Sequence, residues 1–388
     1  MEPLNHYRGR EPTAVKHAVL KRYLQRLAYK VGSWCNTLNY VEGFAGPWKT
    51  KTEDLSDTSP HIAIGELRAA RDGLSRIGRV PKIRCLFVEK GKRAAATLLD
   101  SIQRYSDIHV KVLQGKFVDK IPDIVEFASI PSQAFTFIFV DPTGWTGFDP
   151  DEIAPLLKAG NTEVLITFMT KDITRFINHG DEKVRRSFNP LFGSEERRRA
   201  WEGLKGRARE DAIVDAFCRR VREVGGYKYV VSAIVLHPTR NRTHFHLIYG
   251  TRSIEGLRTF RKVEHDTIGA QKSAREAAKQ RERVQRTRQE ELFPVGAVES
   301  ISYLEQLQGQ HHEAARQALL DLLQSGGTVP FEALEEVALL RQMTFTDDLK
   351  AWLKDWKDRG LVRYIGMAAR ERTLKPGKGH HIMWLGRE

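Results

Sequence analysis

The stretch "KYVVSAIVLHPTRNRTHFHLIYGT", residues 228–251, holds two apolar, β-branched or aromatic runs separated only by the polar turn "HPTRNR". So short a connection predicts an antiparallel hairpin, because a parallel pair needs a crossover of a dozen residues or more. Toward the N-terminus the pattern changes. Five runs, "YVEGF" (40–44), "IRCLFVE" (83–89), "HVKVLQG" (109–115), "FTFIFVDP" (135–142) and "EVLITFM" (163–169), are separated by stretches of helical character. That alternation predicts a parallel sheet with helices on both faces. Residues 135–140 are apolar at almost every position and predict a central strand covered on both sides.

The expected fold class is therefore α/β, with a Rossmann-like sheet of seven strands and a terminal antiparallel hairpin. This is the arrangement of S-adenosylmethionine (SAM) methyltransferases, whereas a dinucleotide dehydrogenase lacks the antiparallel finish. Upstream, Val15, Val19, Leu20, Leu24, Leu27 and Val31 fall at helical spacing and predict an N-terminal helix with Thr13 as its cap. From 268 to 289 the composition turns to charged and small residues without an apolar stripe, which predicts a solvated helix or linker. The expected organisation is a methyltransferase-type domain over 1–267, a charged segment over 268–298 and a smaller domain over 299–388. In the last, two or three helices precede two strands, "LVRYI" (361–365) and "HHIMWL" (380–385), joined by a basic loop. That order predicts a winged-helix-like α+β domain, with Thr346 capping a helix that Gly360 closes.

A chain of 388 residues with 41% hydrophobic content is long enough for two packed cores. Its 63 Lys and Arg against 49 Asp and Glu leave a net charge of +14, which suits an acidic partner, nucleic acid ahead of an anionic membrane surface. Cys35, Cys85 and Cys218 stand far apart, without the CxxC or Cys/His spacing of a zinc site, and read as reduced, buried thiols. The N-terminal residues lack the apolar core of a signal peptide and no run of eighteen apolar residues occurs, so a cytoplasmic location without membrane contact is expected.

The chemistry is expected at the strand ends. Glu42, Phe44, Ala45 and Gly46 end the first strand as an acid followed by small residues. In a methyltransferase-type sheet such a loop lets the backbone approach the methionine part of SAM while the acid faces its ammonium. A plain Ala-Gly-Pro bend uses the same residues, and Trp48 stands where a glycine loop would continue. Glu89 ends the second strand, where a carboxylate can accept both ribose hydroxyls, a charge-assisted contact worth about 1.5–3 kcal/mol. Gln114 and Gly115 end the third and would flank the adenine. At the end of the central strand comes Asp141-Pro142-Thr143-Gly144-Trp145. Methyltransferases of exocyclic base amines use Asp-Pro-Pro-aromatic here: oxygens orient the amino group and the ring stacks on the flipped base. Asp141, Pro142 and Trp145 are the catalytic candidates, although Asp141-Pro142 would equally cap a helix and Trp145 would equally pack. Lys171 and Arg175 could hold a substrate phosphate, and Arg363, Arg370, Arg372, Lys375 and Lys378 surround a Pro-Gly turn suited to nucleic-acid backbone. His244 and His246 alternate on one strand face without an acidic or Cys partner at useful spacing, so no metal is expected.

These residues carry a resemblance. Through "YVEGFAGPW", "DTSPHIAIGELRAA", "FVDPTGWTGF", "EVLITFMTKDITRF" and "LIYGTRSIEGLRTFRKV", in that order, the chain resembles the three-Cys-motif partner proteins (TcmP family) over most of its length. Many members read Gly at the position of Trp48. The resemblance implies a Rossmann-like, SAM-methyltransferase-type protein encoded beside a radical-SAM-like three-Cys-motif protein. The cysteine motif belongs to that partner, in keeping with the isolated cysteines here. The function expected is SAM-dependent methylation of nucleic acid, with S-adenosylmethionine as cofactor, in repair, modification or phage defence together with that partner. The alternative is a non-catalytic adaptor that delivers the partner to nucleic acid. A nuclease would need more clustered carboxylates than Asp141 and Asp172 supply.

Overall fold

The computed structural model describes residues 7–46, 52, 55–177, 179–194, 201–287, 302–368 and 370–386. The chain divides into two compact units, Met1–Thr259 with Thr267–Arg288, and Phe260–Asp266 with Gln289–Glu388.

The first unit is built on strands β1 (Thr37–Glu42), β2 (Lys82–Glu89), β3 (His109–Gln114), β4 (Phe135–Val140), β5 (Asn161–Phe168), β6 (Tyr229–Leu236) and β7 (Thr243–Thr251). They form one sheet in the order β3-β2-β1-β4-β5-β7-β6. β1 to β5 run parallel. The hairpin strands are antiparallel to each other, and β7 inserts between β5 and β6 rather than adding to the outside. A Rossmann-like sheet with a reversed seventh strand in that place is the SAM-methyltransferase sheet. β1 and β4 are buried at every position, as central strands covered on both faces must be.

The helices of this unit are α1 (Glu11–Gly32), α2 (Ser59–Ser75), α3 (Lys92–Ile102), α4 (Ile121–Ser129), α5 (Pro150–Leu157), α6 (Thr170–Phe176), α7 (Glu182–Arg186), α8 (Asn189–Phe192), α9 (Gly206–Gly225) and, apart from Phe260–Asp266, α10 (Ile254–Thr287). α1 starts two residues before the expected cap. Pro12 occupies its first turn, where a missing N–H costs nothing, so Thr13 lies inside the helix. α1 is tied to the sheet by a buried polar network: Tyr23 donates to Glu163 at 2.5 Å, Thr251 donates to the same carboxyl at 2.8 Å, and Tyr23 and Tyr249 share a hydrogen bond of 2.6 Å.

The segment from 268 onward is neither linker nor solvated throughout; through residue 287 it is the second half of α10. Gln271, Ala274, Arg275 and Ala278 are buried. Gln271 accepts the Leu236 N–H at 2.8 Å, and Arg275 bonds the His237 carbonyl. Alanines and hydrogen-bonded polar groups make this contact, so hydropathy carries no trace of it. Cys218 is half-buried, whereas Cys35 and Cys85 are buried, and none of the three forms a disulfide.

The second unit holds α11 (Tyr303–Gly326), β8 (Thr328–Pro330), α12 (Phe331–Leu339), α13 (Thr346–Asp358), β9 (Val362–Ile365) and β10 (His381–Trp384), with an antiparallel sheet in the order β8-β10-β9. Leu319, Leu323, Phe331, Leu334, Leu349, Leu353 and Ile382 form its core. Thr346 is the first helical residue of α13 rather than its cap: Asp348 accepts the Phe345 N–H at 2.9 Å, and the Thr346 hydroxyl donates to Glu335 at 2.9 Å. In the basic loop before β10, His380 accepts the Lys375 N–H on Nδ1 at 3.0 Å and donates from Nε2 to Glu371 at 2.9 Å. The Ala368 N–H and His380 hold the Glu371 carboxyl below its usual range. Among the described residues no helix is long and apolar enough to cross a membrane.

Candidate active site

Because β1 to β5 are parallel, their carboxyl ends share one edge of the sheet, where ligands bind in open α/β folds. Glu42, Glu89, Gln114 and Asp141 come to this edge, followed by Lys171 in the first turn of α6. The reversed β7 brings its first residues to the same side.

Glu42 is completely buried. Its Oε1 accepts the Ser59 hydroxyl at 2.5 Å and its Oε2 the Tyr40 hydroxyl at 2.9 Å. Burial raises its pKa to about 8 against the pull of those hydrogen bonds. Both oxygens are engaged within the fold, and they tie the end of β1 to the start of α2. The loop beyond is stitched to the neighbouring strands, with Gly43 N–H on the Phe139 carbonyl and Ala45 N–H on the Val88 carbonyl, both at 2.9 Å. A Cβ on Gly43 would meet the Phe117 ring at 2.8 Å, so the close approach there serves the chain's own packing. Phe44 lies against the same ring, with centroids 5.5 Å apart. Gly46 is half-buried at the end of this stretch. Pro47 and Trp48 lie outside the described residues.

Glu89 is 5% exposed. Its Oε1 accepts the Gly91 N–H at 2.6 Å, whereas its Oε2 makes no hydrogen bond among the described residues. The exposed Gln114 donates to the Lys90 carbonyl at 3.0 Å. This corner offers a carboxylate oxygen beside an amide that can reorient.

Asp141 does not cap the following helix. Asp149 does so, accepting the Asp151 N–H at 2.9 Å. Asp141 Oδ2 instead pairs with Lys16 Nζ from α1, and its Oδ1 accepts no hydrogen bond among the described residues. Pro142 is buried. The half-buried Trp145 stacks on Phe188 at 4.8 Å, lies 5.6 Å from Phe176 and donates its indole N–H to Ser187 at 3.0 Å. The exposed Arg175 guanidinium lies 4.8 Å from the centre of the Phe176 ring. In the second unit Arg363, Lys375 and Lys378 are exposed, and Arg372 is exposed beside them in the basic loop. Arg370 lies at the start of that loop. Among the described residues no group of three His, Cys, Asp or Glu is placed to hold a metal. A cavity of about 660 Å³ opens between α1, α2 and α10, lined in part by His17, Asp57, His61 and Glu66, and the strand-end candidates are not in its lining.

No protein-family model matches the chain, and no curated protein does. Solved structures that resemble it include the following two. The citrinin polyketide synthase CMeT domain is 14% identical with a TM-score of 0.25, over 56% of this chain and 46% of the other; this chain thus spans less than half of that relative. A loganic acid methyltransferase with SAH is 9% identical with a TM-score of 0.31, over 74% of this chain and 92% of the other. The fold assignment stands on strand order and direction.

Sequence reasoning missed Lys16, Tyr40 and Ser59. Lys16 sits in an ordinary helical run, 125 positions from its partner. Ser59 falls inside "DTSPHIAIGELRAA", which carried the family resemblance without a role for any one residue.

Proposed function

We propose that this chain is a SAM-dependent methyltransferase acting on an exocyclic amine of nucleic acid, together with a radical-SAM-like three-Cys-motif partner. The observation that carries the reading is that Glu89 and Asp141 each bring one carboxylate oxygen without a hydrogen-bond partner to the same sheet edge. SAM would be held by Glu89 Oε2 on the ribose and by Gln114 near the adenine, and it would supply a methyl group on a sulfonium. Glu42 holds the loop in place. Asp141 Oδ1 accepts from the acceptor amine and orients its lone pair, with Lys16 fixing the carboxylate from the other side. The second unit is read as a winged helix, its helices followed by a β9–β10 wing whose five cations grip the phosphate backbone.

A thermal shift with SAM and its demethylated product tests this directly, because a ligand bound only to the folded state raises its stability. A rise abolished by Glu89→Gln is expected. No rise at saturating ligand ends the enzyme reading.

The burial of Trp145 against Phe188 and of Phe117 against Gly43 favours a second reading, an adaptor that keeps the fold without the chemistry. It predicts co-purification with the partner, and salt-sensitive nucleic-acid binding that Asp141→Ala leaves unchanged.

A further inference from the structure

At the other end of the same edge, beyond β5, the β6–β7 turn gathers cations. His237 Nδ1 accepts the N–H groups of Thr239 at 3.2 Å and Arg240 at 3.1 Å, which leaves the proton of the neutral ring on Nε2 as a donor. The His244 ring stands 5.9 Å away, edge-on, and its Nδ1 is buried without a hydrogen-bond partner. Arg275 donates to neutral acceptors here, the carbonyls of His237 and Arg240 and the Asn241 side chain. Among the described residues none of Lys171, Arg240 and Arg242 pairs with a carboxylate.

The electrostatics point the same way. Burial, then Lys171, His237, Arg242 and Lys16, lower the His244 pKa to about 4. Burial, then Arg242, Arg240, Arg275 and Lys171, lower that of His237. The largest electrostatic influences on both rings come from cations and, for His244, the neighbouring imidazole. Two neighbouring imidazoles would otherwise invite a metal, but the surrounding cations repel one. The same field attracts an anion, and the side chains at hand are donors.

We propose that Lys171, His237, Arg242 and His244 form a phosphate-binding site, with Arg275 holding the turn that carries it. The site takes a tetrahedral oxyanion, which accepts from the lysine, the guanidinium and the imidazole N–H groups at once. For the source of that phosphate, the strand of a nucleic acid, the inference rests on the proposed function. The site itself does not.

The test uses the full chain and the Lys171→Gln/Arg242→Gln variant. Calorimetry with inorganic phosphate and anisotropy with a single-stranded oligonucleotide give the two arms, while the SAM thermal shift on the same samples reports separately on the methyltransferase reading. Phosphate should bind the wild type, and the variant should weaken it about tenfold. For the oligonucleotide, the variant should reduce the slope of log K against log salt by about 1 to 2. If phosphate binding weakens and the oligonucleotide is unaffected, the site stands and a free phosphate compound is its ligand. Absence of phosphate binding by the wild type, or equal affinity in the variant, overturns the proposal. The Lys171→Arg/Arg242→Lys variant, which keeps the charges, should retain phosphate binding and guards against a folding artefact.

Discussion

Lys16 of α1 and Asp141 beyond β4 form an ion pair at the carboxyl edge of the sheet, with side chains 11% and 18% exposed. Removing one partner leaves the other charge short of water and of compensation. Lys16→Ala should destabilise the first unit by about 1–3 kcal/mol, and Lys16→Met with Asp141→Asn should recover most of that. Urea denaturation of the three proteins measures it. An unchanged midpoint in Lys16→Ala would mean that water already screens the pair.

Glu42 makes stability fall as pH rises. Its pKa is about 8 in the folded chain against an ordinary 4.5, so between those values the folded state binds more protons than the unfolded one. The stabilisation is complete below about pH 4.5 and is lost by about pH 8, at about 1.4 kcal/mol per pH unit on the steep part. Glu42→Gln carries no such loss. Its stability relative to the wild type should therefore increase from pH 5 to pH 8 in denaturation series, and parallel profiles would show that Glu42 ionises normally.

His17 works in the opposite direction at lower pH. Burial, with Lys16 beside it, lowers its pKa from 6.5 to about 3, so the unfolded state binds more protons across that window. Its contribution is complete above pH 6.5 and is lost as pH falls toward 3. Tyr7 occupies Nδ1 at 2.9 Å. His17→Gln should flatten the acid limb of the stability profile, and an acid limb of unchanged steepness would assign it to other groups.

The five cations of the basic wing should act through charge. Neutralising Arg363, Arg370, Arg372, Lys375 and Lys378 one at a time should lower the salt slope of oligonucleotide binding by up to about one for each phosphate left without its cation. Glu371→Ala should have a different effect, because it releases the loop that His380 anchors. Slopes unchanged from the wild type in all five variants would remove nucleic acid from this surface.

The seven strands of the first unit were legible because each is a local run of apolar or β-branched residues closed by turn residues. The helix starts were less so: Pro12 displaced the Thr13 cap, and Asp348 supplied the closure expected of Thr346. The buried half of α10 was invisible to hydropathy, since Gln271 and Arg275 are buried by hydrogen bonds to β6 and the turn beyond it. At the site, Glu42, Glu89 and Asp141 were found as strand-end acids, yet nothing local marked Lys16, Tyr40 or Ser59 as partners for Asp141 and Glu42.

The sequence by itself determined the elements, the seven-strand sheet and the edge at which its acids gather, because hydrophobic period and turn chemistry are properties of neighbours in the chain. Only the tertiary structure decided that β7 inserts between β5 and β6, that burial raises the Glu42 pKa, and that Asp141 faces Lys16. Those depend on desolvation and on charges brought together from distant positions, and such quantities exist only once the chain is folded.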